Sequence, residues 1–428
     1  MDFNLPPDLI AYLAELDRFI VAEIEPLQAQ DDNQRFFDHR REWARTDFEG
    51  GGLPRPEWEA LLAQAKRRAD RAGHLRFALP RAYGGQDGSN LWMAVIREHL
   101  AAKGLGLHND LQNEHSIVVN NPFVLMLRDF GTAEQQTTMI PGMLDGRFKV
   151  AFGLTEPEHG SDATHMDTRA VPETREGQTG WLINGEKMWT TGMHVATHCL
   201  LFVRTSGQAG EATGITALLV PAQAAGVKIE EYLWTFNMPT DHPRVSFNQV
   251  WVPAEATLGR VDHGLAVAQH FVHENRIRQA ASSLGAADYC VRESVAYARE
   301  RKPFGQPLAR NQAIQFPLVE LATQVEMLRL LIRKTAWEMD QMPKPEVEQR
   351  LSDKVSMCNY WANRLVCEAA DRAMQVHGGL GYSRHKPFEH IYRHHRRYRI
   401  TEGSEEIQMR KVAGHLFGYM GPLKRATQ

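Results

Sequence analysis

Residues 400–408 read Ile-Thr-Glu-Gly-Ser-Glu-Glu-Ile-Gln and join a basic, helix-like run to a second apolar segment. Because Glu402 is followed directly by Gly403, the pattern predicts a turn between two helices that aims the carboxylate into a pocket. The alternative is that Glu402 only caps the helix that begins near Ser404, where an acidic side chain meets the positive end of the helix dipole. The helices and strands that lead up to this turn define the predicted fold.

Two long helices are predicted before the turn. Apolar residues recur every three or four positions over 314–339, which predicts one helix that ends before Pro343. A second helix is predicted from about residue 347 to residue 376, and shorter helices follow His263 and precede Glu402. Antiparallel helices with such apolar stripes are typical of a helical bundle.

The earlier part of the chain changes from helical to β periodicity. Residues 7–148 show mainly helical spacing, which turn-forming residues interrupt at 50–54 and 80–85. Short β-rich runs follow, and Asn184-Gly185 predicts a two-residue hairpin turn between two of them. No helical crossover separates these runs, so we expect an antiparallel β domain without βαβ units. The predicted class is α+β, with an all-helical domain (1–147), a middle β domain (148–261) and a helical bundle (262–428).

Composition narrows the class of protein. A chain of 428 residues with 43% hydrophobic content is expected to form two or three packed units. A formal net charge of -3 gives no general attraction to nucleic acid or to anionic membranes. The four cysteines form no CxxC pair, which favours a reducing compartment over a disulfide framework or a structural zinc site. Without a signal segment or an apolar run of membrane-spanning length, the expected location is the cytoplasm and no membrane contact is expected.

Two segments of the β region carry candidate chemistry. In residues 152–162, Thr155, Gly160 and Ser161 supply small donors that can approach a planar ring or a phosphate, although an ordinary polar loop has the same composition. Trp189-Thr-Thr191 follows the predicted hairpin turn, where an indole beside two hydroxyls can cover one face of a ring. The alternative for this segment is a core tryptophan with threonines that favour a strand.

Two further segments lie in the predicted bundle. Residues 301–306 form a loop between two long helices and carry Arg301, an arginine suited to a pyrophosphate; the alternative is a charged interhelix loop. Residues 375–381 end a helix with several glycines, and the alternative there is an ordinary glycine C-cap.

Taken together and in this order, the segments resemble the acyl-CoA dehydrogenase family, from the turn at residues 80–85 to about Leu416. The shared pattern is a TEP…GSD loop, a GEK-W-x-T hairpin, an ER-x-x-FG loop, a Q-x-HGG-x-G helix end and an EG-x-x-E-I turn. The resemblance implies an N-terminal helical domain, a middle antiparallel β-barrel-like domain and a C-terminal four-helix bundle. It also implies bound FAD and a homotetramer built as a dimer of dimers, or a homodimer.

The resemblance further assigns residues to FAD and to the acyl-CoA substrate. Residues of the middle domain would line the flavin and its ribityl chain, and residues of the bundle would reach the FAD of a neighbouring subunit. Ser404 and Glu406 would lie near the adenosine. The residues assigned to FAD are Phe152, Leu154, Thr155, Gly160, Ser161, Trp189, Thr191, Arg301, Phe304, Gln312, Gln375, Gly379, Ser404 and Glu406. The residues assigned to the substrate are Ser161, Arg276, Thr401 and Gly403.

By the same resemblance, Glu402 is the catalytic base. Removal of a proton from the carbon α to a thioester requires a positioned carboxylate, a stabilised enolate oxygen and a hydride acceptor. Glu402 would take the α-proton while the β-hydride passes to flavin N5, and the Glu402 N–H and a ribityl hydroxyl would hold the thioester oxygen. The implied product is the trans-2-enoyl-CoA, the implied electron acceptor is an electron-transferring flavoprotein, and the implied pathway is fatty-acid β-oxidation.

The chain departs from the family pattern near the expected substrate. Thr401 replaces the tyrosine that is common before the base, which widens one wall of the acyl pocket. Some family branches take the base from the position before Arg276, but here that residue is Asn275, with Glu274 as a neighbouring alternative to Glu402. The loop 236–243 resembles that of a branch that handles unusual or long acyl chains.

Three other functions are compatible with parts of the sequence. A flavin oxidase or monooxygenase on the same scaffold stays open, since oxygen access is not visible in a sequence. The basic run 384–399 suggests a nucleic-acid-binding flavoprotein, but it lacks interleaved aromatic residues for base stacking, so no nucleic acid is expected. His194 and His198 have the spacing of metal ligands on a helix, but their surroundings predict a strand, and no metal is expected.

Overall fold

The computed structural model describes residues 4–109 and 116–418. The α-helices in chain order are α1 (Pro7–Phe19), α2 (Glu25–Ala29), α3 (Arg41–Arg45), α4 (Pro56–Arg71), α5 (Asn90–Ala101), α6 (Pro122–Phe130), α7 (Ala133–Leu144), α8 (Gly264–Ala268), α9 (Val272–Glu300), α10 (Gln312–Asp340), α11 (Lys344–Arg350), α12 (Ser352–His377), α13 (Gly379–Tyr382), α14 (Phe388–Arg396) and α15 (Glu405–Leu416). A π-helical turn (Ile20–Ile24) joins α1 to α2, and 3-10 turns include Gln30–Phe36, Arg81–Tyr83, Ala254–Ala256, Pro303–Gly305, Leu308–Arg310 and Arg397–Arg399.

The strands in chain order are β1 (Thr46–Asp47), β2 (Leu53–Pro54), β3 (Val150–Gly153), β4 (Arg169–Arg175), β5 (Gln178–Lys187), β6 (His198–Arg204), β7 (Ile215–Pro221), β8 (Val227–Tyr232), β9 (Pro243–Pro253) and β10 (Thr257–Leu258). The chain divides into two compact units. The helical unit comprises the described residues up to Arg45, Pro56–Asn120 and those from His273 onward, and the β unit comprises Thr46–Arg55 and Asn121–Val272. The α+β class predicted from the sequence is confirmed.

The core of the helical unit lies between α9, α10 and α12. The apolar stripe predicted on α10 is buried from Leu318 to Met339, and from Leu321 onward it packs in one cluster with residues of α9 and α12. The second predicted helix is split, because α11 ends at Arg350 and α12 begins at Ser352. Many core positions of α9 and α12 are alanine. Among them are Ala280, Ala287, Ala362, Ala369, Ala370 and Ala373.

The β unit is built on one sheet with the strand order β10-β7-β6-β4-β5-β9-β8, to which β3 is added beside β6. Most neighbouring strands are antiparallel, as predicted, but β3 runs parallel to β6, and β4 also pairs with β6 in parallel, at Arg169 and Arg204. Two strands rather than a helix occupy the connection from β3 to β6, so the predicted absence of a βαβ unit holds for this pair. One hairpin, β1 and β2, interrupts the predicted all-helical N-terminal region and belongs to the β unit.

The predicted hairpin turn at Asn184-Gly185 is wrong. Strand β5 continues through both residues, and the β5–β9 ladder shifts register between Ile183 and Gly185, which marks a β-bulge. The turn between β4 and β5 lies instead at Glu176-Gly177, where both φ angles are positive (52° and 83°) as a tight two-residue turn requires. A Cβ at position 185 would come within 2.6 Å of the Thr168 Cα, which explains the glycine in the bulge.

A buried ion pair connects the loop after β3 to the end of β5. Lys187 Nζ donates to Glu156 Oε1 at 2.7 Å and to the Leu154 carbonyl oxygen at 3.1 Å. Glu156 also accepts from the backbone N–H groups of Asp167 (2.7 Å) and Thr168 (2.9 Å). Burial lowers the pKa of Lys187 to about 8 against the opposing effect of Glu156. Burial alone would raise the pKa of Glu156, but Lys187 and these hydrogen bonds hold that pKa below its ordinary value.

Removal of one partner of this pair is expected to destabilise the β unit. Glu156→Gln leaves the buried charge of Lys187 without a partner, and Lys187→Met does the same to the buried charge of Glu156. Each change is expected to lower the free energy of unfolding by about 3–5 kcal/mol. The matched control is Lys228→Met, which removes an ion pair to Glu230 from a lysine side chain that is 70% exposed. That change is expected to leave the free energy of unfolding close to the wild-type value, because solvent screens exposed ion pairs. Urea unfolding measures both values, and equal losses for the two lysines would contradict the prediction.

Candidate active site

Glu402 lies on the tight turn predicted between two helices. The turn separates the 3-10 helix Arg397–Arg399 from α15, and its two central residues have positive φ angles, 56° at Glu402 and 84° at Gly403. A Cβ on Gly403 would stand 2.9 Å from Arg276 Nη2, so glycine is required by both its conformation and its surroundings. The Glu402 side chain is half-buried, whereas Thr401 beside it is exposed.

Arg276 holds this turn by its backbone. The buried guanidinium of Arg276, on α9, donates from Nε (3.0 Å) and Nη2 (2.6 Å) to the Glu402 carbonyl oxygen. Burial lowers the pKa of Arg276, with Glu402 and Glu348 opposing that effect. Nε and Nη2 belong to the same planar guanidinium group, which cannot rotate freely once both hydrogen bonds are made. The two bonds therefore fix the direction of the Glu402 carbonyl.

A buried amide network supports the turn from the side of α12. Gln408 Nε2 donates to the Gly403 carbonyl oxygen (2.8 Å) and to Asn359 Oδ1 (2.9 Å), while Asn359 Nδ2 donates to the Arg276 carbonyl oxygen (2.9 Å). The sequence reasoning missed Asn359 and Gln408. A signal was present in the sequence, because Asn359 and Asn363 are four residues apart on one helix. That spacing places two amides on the same face, beside an apolar stripe.

Helix capping at this turn is performed by Ser404 rather than Glu402. Ser404 precedes α15 and its hydroxyl oxygen accepts from the Ile407 N–H. Glu405 in the first turn is buried and paired with Arg399 (2.9 Å) and Arg364 (3.0 Å). Hydrogen bonds from Arg399, against the opposing effect of burial, and those from Arg364 lower the pKa of Glu405 to about 2. The capping alternative for Glu402 is therefore not supported, because the cap is made by another side chain.

The acidic residues near Arg276 are paired. Glu274, the alternative base, forms an ion pair with Lys344, with 2.9 Å between Glu274 Oε1 and Lys344 Nζ. His273 Nε2 contacts Glu348 Oε2 at 2.5 Å, and Glu348 also pairs with Lys411. Asn275 is the residue of this segment whose side chain reaches the Glu402 carboxylate: its Nδ2 donates to Glu402 Oε1 at 3.3 Å.

In the β unit, the residues assigned to the flavin lie on two loops. Phe152 lies near the end of β3 and the remainder of 152–162 follows it, with the Thr155 carbonyl oxygen accepting from the Met188 N–H at 2.8 Å. Trp189 and Thr191 follow β5 in a loop, not on the return strand of a hairpin as predicted. The alternative of a core tryptophan at Trp189 is wrong, because its side chain is 47% exposed and its φ is 61°.

His242 joins the second of these loops and was missed from the sequence. Its Nδ1 contacts Thr191 Oγ1 at 2.8 Å, and its ring lies at the edge of the Trp189 ring, with centroids 6.5 Å apart. The segment from Thr240 to Pro243 supports the loop further, since the Gly192 N–H donates to the Asp241 carbonyl oxygen at 2.9 Å.

The donor set of the β unit fits the planar, phosphate-bearing FAD expected from the resemblance. Thr155 and Ser161 offer hydroxyls, a Cβ at Gly160 would meet nothing within 4 Å, and the Trp189 indole is presented at the surface. In the helical unit, the assigned residues Arg301, Phe304, Gln312, Gln375 and Gly379 are all exposed, and their assignment to FAD stays a prediction. Gly378 follows α12 with a positive φ of 61°, so this segment contains the glycine C-cap that was the alternative interpretation.

Much of the positive charge in the basic run 384–399 is balanced by carboxylates of the same protomer. Arg384 and Arg393 pair with Glu42, and Lys386 pairs with Glu293 at 3.8 Å. These ion pairs reduce the charge that the run could present to a nucleic acid.

His194 and His198 lie in different elements of the structure. His198 begins β6, but His194 lies in the preceding turn, so the prediction that both lie on one strand is wrong for His194. In the described part of the chain, no three His, Cys, Asp or Glu side chains cluster as metal ligands. No helix within residues 4–109 and 116–418 has the length and apolar character needed to cross a bilayer.

Three family models match the chain in succession. They describe the N-terminal (residues 42–147), middle (151–250) and C-terminal (262–417) domains of acyl-CoA dehydrogenases. The chain is 31% identical to the 3-(aryl)acrylate reductase of Clostridium sporogenes over 347 residues, 80% of this chain and 87% of that protein. It is 28% identical to the glutaryl-CoA dehydrogenase of Desulfococcus multivorans, covering 95% of this chain and 96% of the relative.

Solved structures share the fold over almost the whole length. A putative acyl-CoA dehydrogenase from Mycobacterium abscessus superposes with a TM-score of 0.82 at 26% identity, covering 98% of this chain and 100% of that one. A glutaryl-CoA dehydrogenase in complex with glutaryl-CoA gives a TM-score of 0.75 at 26% identity and covers 98% of each chain.

The ion pairs of Glu405 are expected to make stability depend on pH. Because the folded-state pKa is lowered to about 2 from an ordinary 4.5, the stabilisation is complete above pH 4.5 and is lost as pH falls toward 2. Glu405→Gln is therefore expected to lower the free energy of unfolding by about 1–2 kcal/mol at pH 7, allowing for solvent screening, and by less at about pH 3–4. Denaturant unfolding across this pH range measures the difference. Glu346→Gln, which removes an exposed pair with Arg350, is the control; a pH-independent loss for Glu405→Gln would contradict the prediction.

Proposed function

The chain belongs to the acyl-CoA dehydrogenase family, and we propose that it oxidises an acyl-CoA thioester to the trans-2-enoyl-CoA with Glu402 as the base. The family is FAD-dependent, and this protein is a flavoprotein oxidoreductase that acts on acyl-CoA. One observation supports Glu402 above the other acidic residues of this region: its turn is fixed by Arg276 and Gln408 while its half-buried carboxylate accepts a hydrogen bond from a neutral amide.

The proposed step begins with proton transfer to the Glu402 carboxylate. A fixed carboxylate beside the α-carbon avoids the entropic cost of bringing a base from solution, which is a major part of the barrier for such a weak carbon acid. Bound substrate excludes water from the half-buried carboxylate, and desolvation raises the basicity of a carboxylate toward neutral pH. When bound, FAD supplies the acceptor for the hydride that leaves the β-carbon.

The developing enolate oxygen needs a hydrogen-bond donor in a fixed position. We assign the Glu402 backbone N–H to this role, as the resemblance implies. The bidentate contact of Arg276 fixes the carbonyl of the same residue, so the backbone around the donor is held before substrate arrives. The predicted contacts of Arg276, Thr401, Gly403 and Ser161 with the acyl-CoA are part of this proposal.

FAD binding and the remaining organisation are proposed on the same basis. The residues assigned to FAD are those derived from the resemblance, on the two loops of the β unit and on the exposed positions of the helical unit. We propose three domains with boundaries at 147/148 and 261/262, a homotetramer or homodimer, and an electron-transferring flavoprotein as the electron acceptor. A place in cytoplasmic fatty-acid β-oxidation is proposed with them; the four cysteines are buried and unpaired, which favours a reducing compartment.

The acyl group is left to experiment, because relatives with different substrates are about equally similar. Two of these relatives act, by name, on an arylacrylate and on glutaryl-CoA. The first is named a reductase, so a substrate panel should contain both acyl-CoA and enoyl-CoA thioesters of short, long, aromatic and dicarboxylic acyl groups. Thr401 is small and exposed, which favours an acyl group broader than a straight short chain.

Glu402→Gln is expected to keep bound FAD and acyl-CoA affinity but to lose flavin bleaching by acyl-CoA. The substitution preserves size and hydrogen bonding while removing the base, which supplies roughly 10²–10⁴-fold of rate or more in such reactions. Anaerobic stopped-flow absorbance with the best acyl-CoA of the panel measures the rate. The control is Glu274→Gln, the other candidate base, which is expected to bleach at a rate close to that of the wild type.

Full bleaching by Glu402→Gln would reject this base assignment. Loss of bleaching in Glu274→Gln alone would move the base to α9. Reoxidation of the reduced wild-type enzyme in air tests the alternative of a flavin oxidase or monooxygenase. Rapid peroxide release would indicate an oxidase, and slow reoxidation would indicate a dehydrogenase.

A further inference from the structure

Asn275 and Arg276 are consecutive residues at the start of α9, and both bind Glu402. Arg276 binds the Glu402 carbonyl oxygen, and Asn275 Nδ2 donates to the side-chain Oε1 at 3.3 Å. One residue therefore fixes the backbone of the turn and the next contacts the reactive carboxylate. In the sequence, Asn275 stands out only as a position that lacks a base, and the residue assignments give it no role.

Asn120 binds the end of the Asn275 amide that faces away from Glu402. Asn120 Nδ2 donates to Asn275 Oδ1 at 2.7 Å. A side-chain amide has one acceptor end and one donor end, so its orientation is set by the hydrogen bonds it makes. Because Asn120 occupies the acceptor end, the donor end of Asn275 is directed to the carboxylate. The reverse orientation would place a carbonyl oxygen against a carboxylate oxygen.

We propose that Asn275 is a positioning residue for the Glu402 base and that Asn120 holds Asn275 in the donating orientation. The proposal rests on the proposed function, since it concerns the same carboxylate. A neutral amide donor fixes the direction of the carboxylate without adding a formal charge. It also favours the ionised form of Glu402, which is the form that accepts a proton.

The neighbouring charges make an amide suitable at this position. Arg276 is the cation that holds the turn, through the backbone carbonyl. On the same helix, Glu274 is paired with Lys344 and His273 with Glu348, which also pairs with Lys411. A carboxylate at position 275 would add a negative charge beside Glu402, and like charges disfavour ionisation of the base.

Asn275→Ala and Asn120→Leu test the two halves of the proposal in the FAD-loaded full-length enzyme. Asn275→Ala removes the donor. Asn120→Leu is similar in size and adds no charge, but it removes the donor that binds Asn275 Oδ1, so the Asn275 amide is no longer held with its NH₂ group toward Glu402. Both variants are expected to keep FAD and acyl-CoA affinity, to bleach about 10–100-fold more slowly at neutral pH, and to shift the acid limb of the rate profile to higher pH.

The readout is the anaerobic bleaching rate as a function of pH, with the acyl-CoA that reduces the wild-type enzyme fastest. Asn33→Ala is the matched control: it removes an amide donor to the Leu27 carbonyl oxygen (2.9 Å) in another part of the helical unit and is expected to bleach like the wild type. A slower rate with an unshifted pH profile in both variants would reduce Asn275 to a structural role and overturn the proposal.

The outcomes distinguish this proposal from the assignment of the base. Wild-type rates and pH profiles in Asn275→Ala and Asn120→Leu, with bleaching abolished in Glu402→Gln, would overturn the positioning role and leave the base in place. Full bleaching in Glu402→Gln would overturn both. If Asn275→Ala fails to retain FAD, the uncharged Asn120→Leu decides: a shifted profile supports the proposal and an unshifted one overturns it.

Discussion

The hydrogen bonds from the buried Arg276 guanidinium to the Glu402 carbonyl oxygen are the interaction on which the turn depends. A buried cation is costly unless its donors are satisfied, so a displaced turn would leave Arg276 with unsatisfied N–H groups. The turn itself holds a glutamate in the left-handed region, where residues other than glycine are uncommon and strained. The hydrogen bonds from Arg276 offset the free-energy cost of that conformation. They hold the Glu402 backbone in place, so the side chain that carries the carboxylate starts from a fixed position.

The helical bundle supplies the rigidity behind this contact. Asn359 on α12 bonds to the Arg276 carbonyl oxygen, and Gln408 on α15 bonds to Asn359 and to Gly403, so three helices share one buried polar network. Buried networks of this kind stabilise a fold only when their polar groups have hydrogen-bond partners. Loss of one of these side chains therefore leaves groups on the other helices without a partner. The turn is therefore held by side chains of α9, α12 and α15 together and not by its own residues alone.

The parts of the fold that follow from local periodicity could be predicted, and those that follow from long-range contacts could not. The stripe on α10 is a local property and is buried as predicted from Leu318 to Met339. Asn184-Gly185 has the chemistry of a turn, but the approach of Thr168 makes it a bulge, and no local signal distinguishes the two. Glu156 and Lys187 lie within motifs that suggested a ligand site, yet they bind each other. Asn120 is a single amide far from Glu402 in sequence, so its bond to Asn275 leaves no pattern to detect.

Two carboxylates of the same turn illustrate why pairing decides chemical role. Glu405 is held by two guanidinium groups, which lower its pKa to about 2 and make it a poor proton acceptor near neutral pH. Glu402, three residues earlier, accepts from an amide at its side chain and from a guanidinium at its backbone carbonyl. The Asn275 amide brings no formal positive charge to the Glu402 carboxylate, whereas both side chains that hold Glu405 are cations. The Arg276 hydrogen bonds hold the backbone carbonyl of Glu402, so different side chains fix the turn and direct the carboxylate, and a general base needs both its position and its direction fixed.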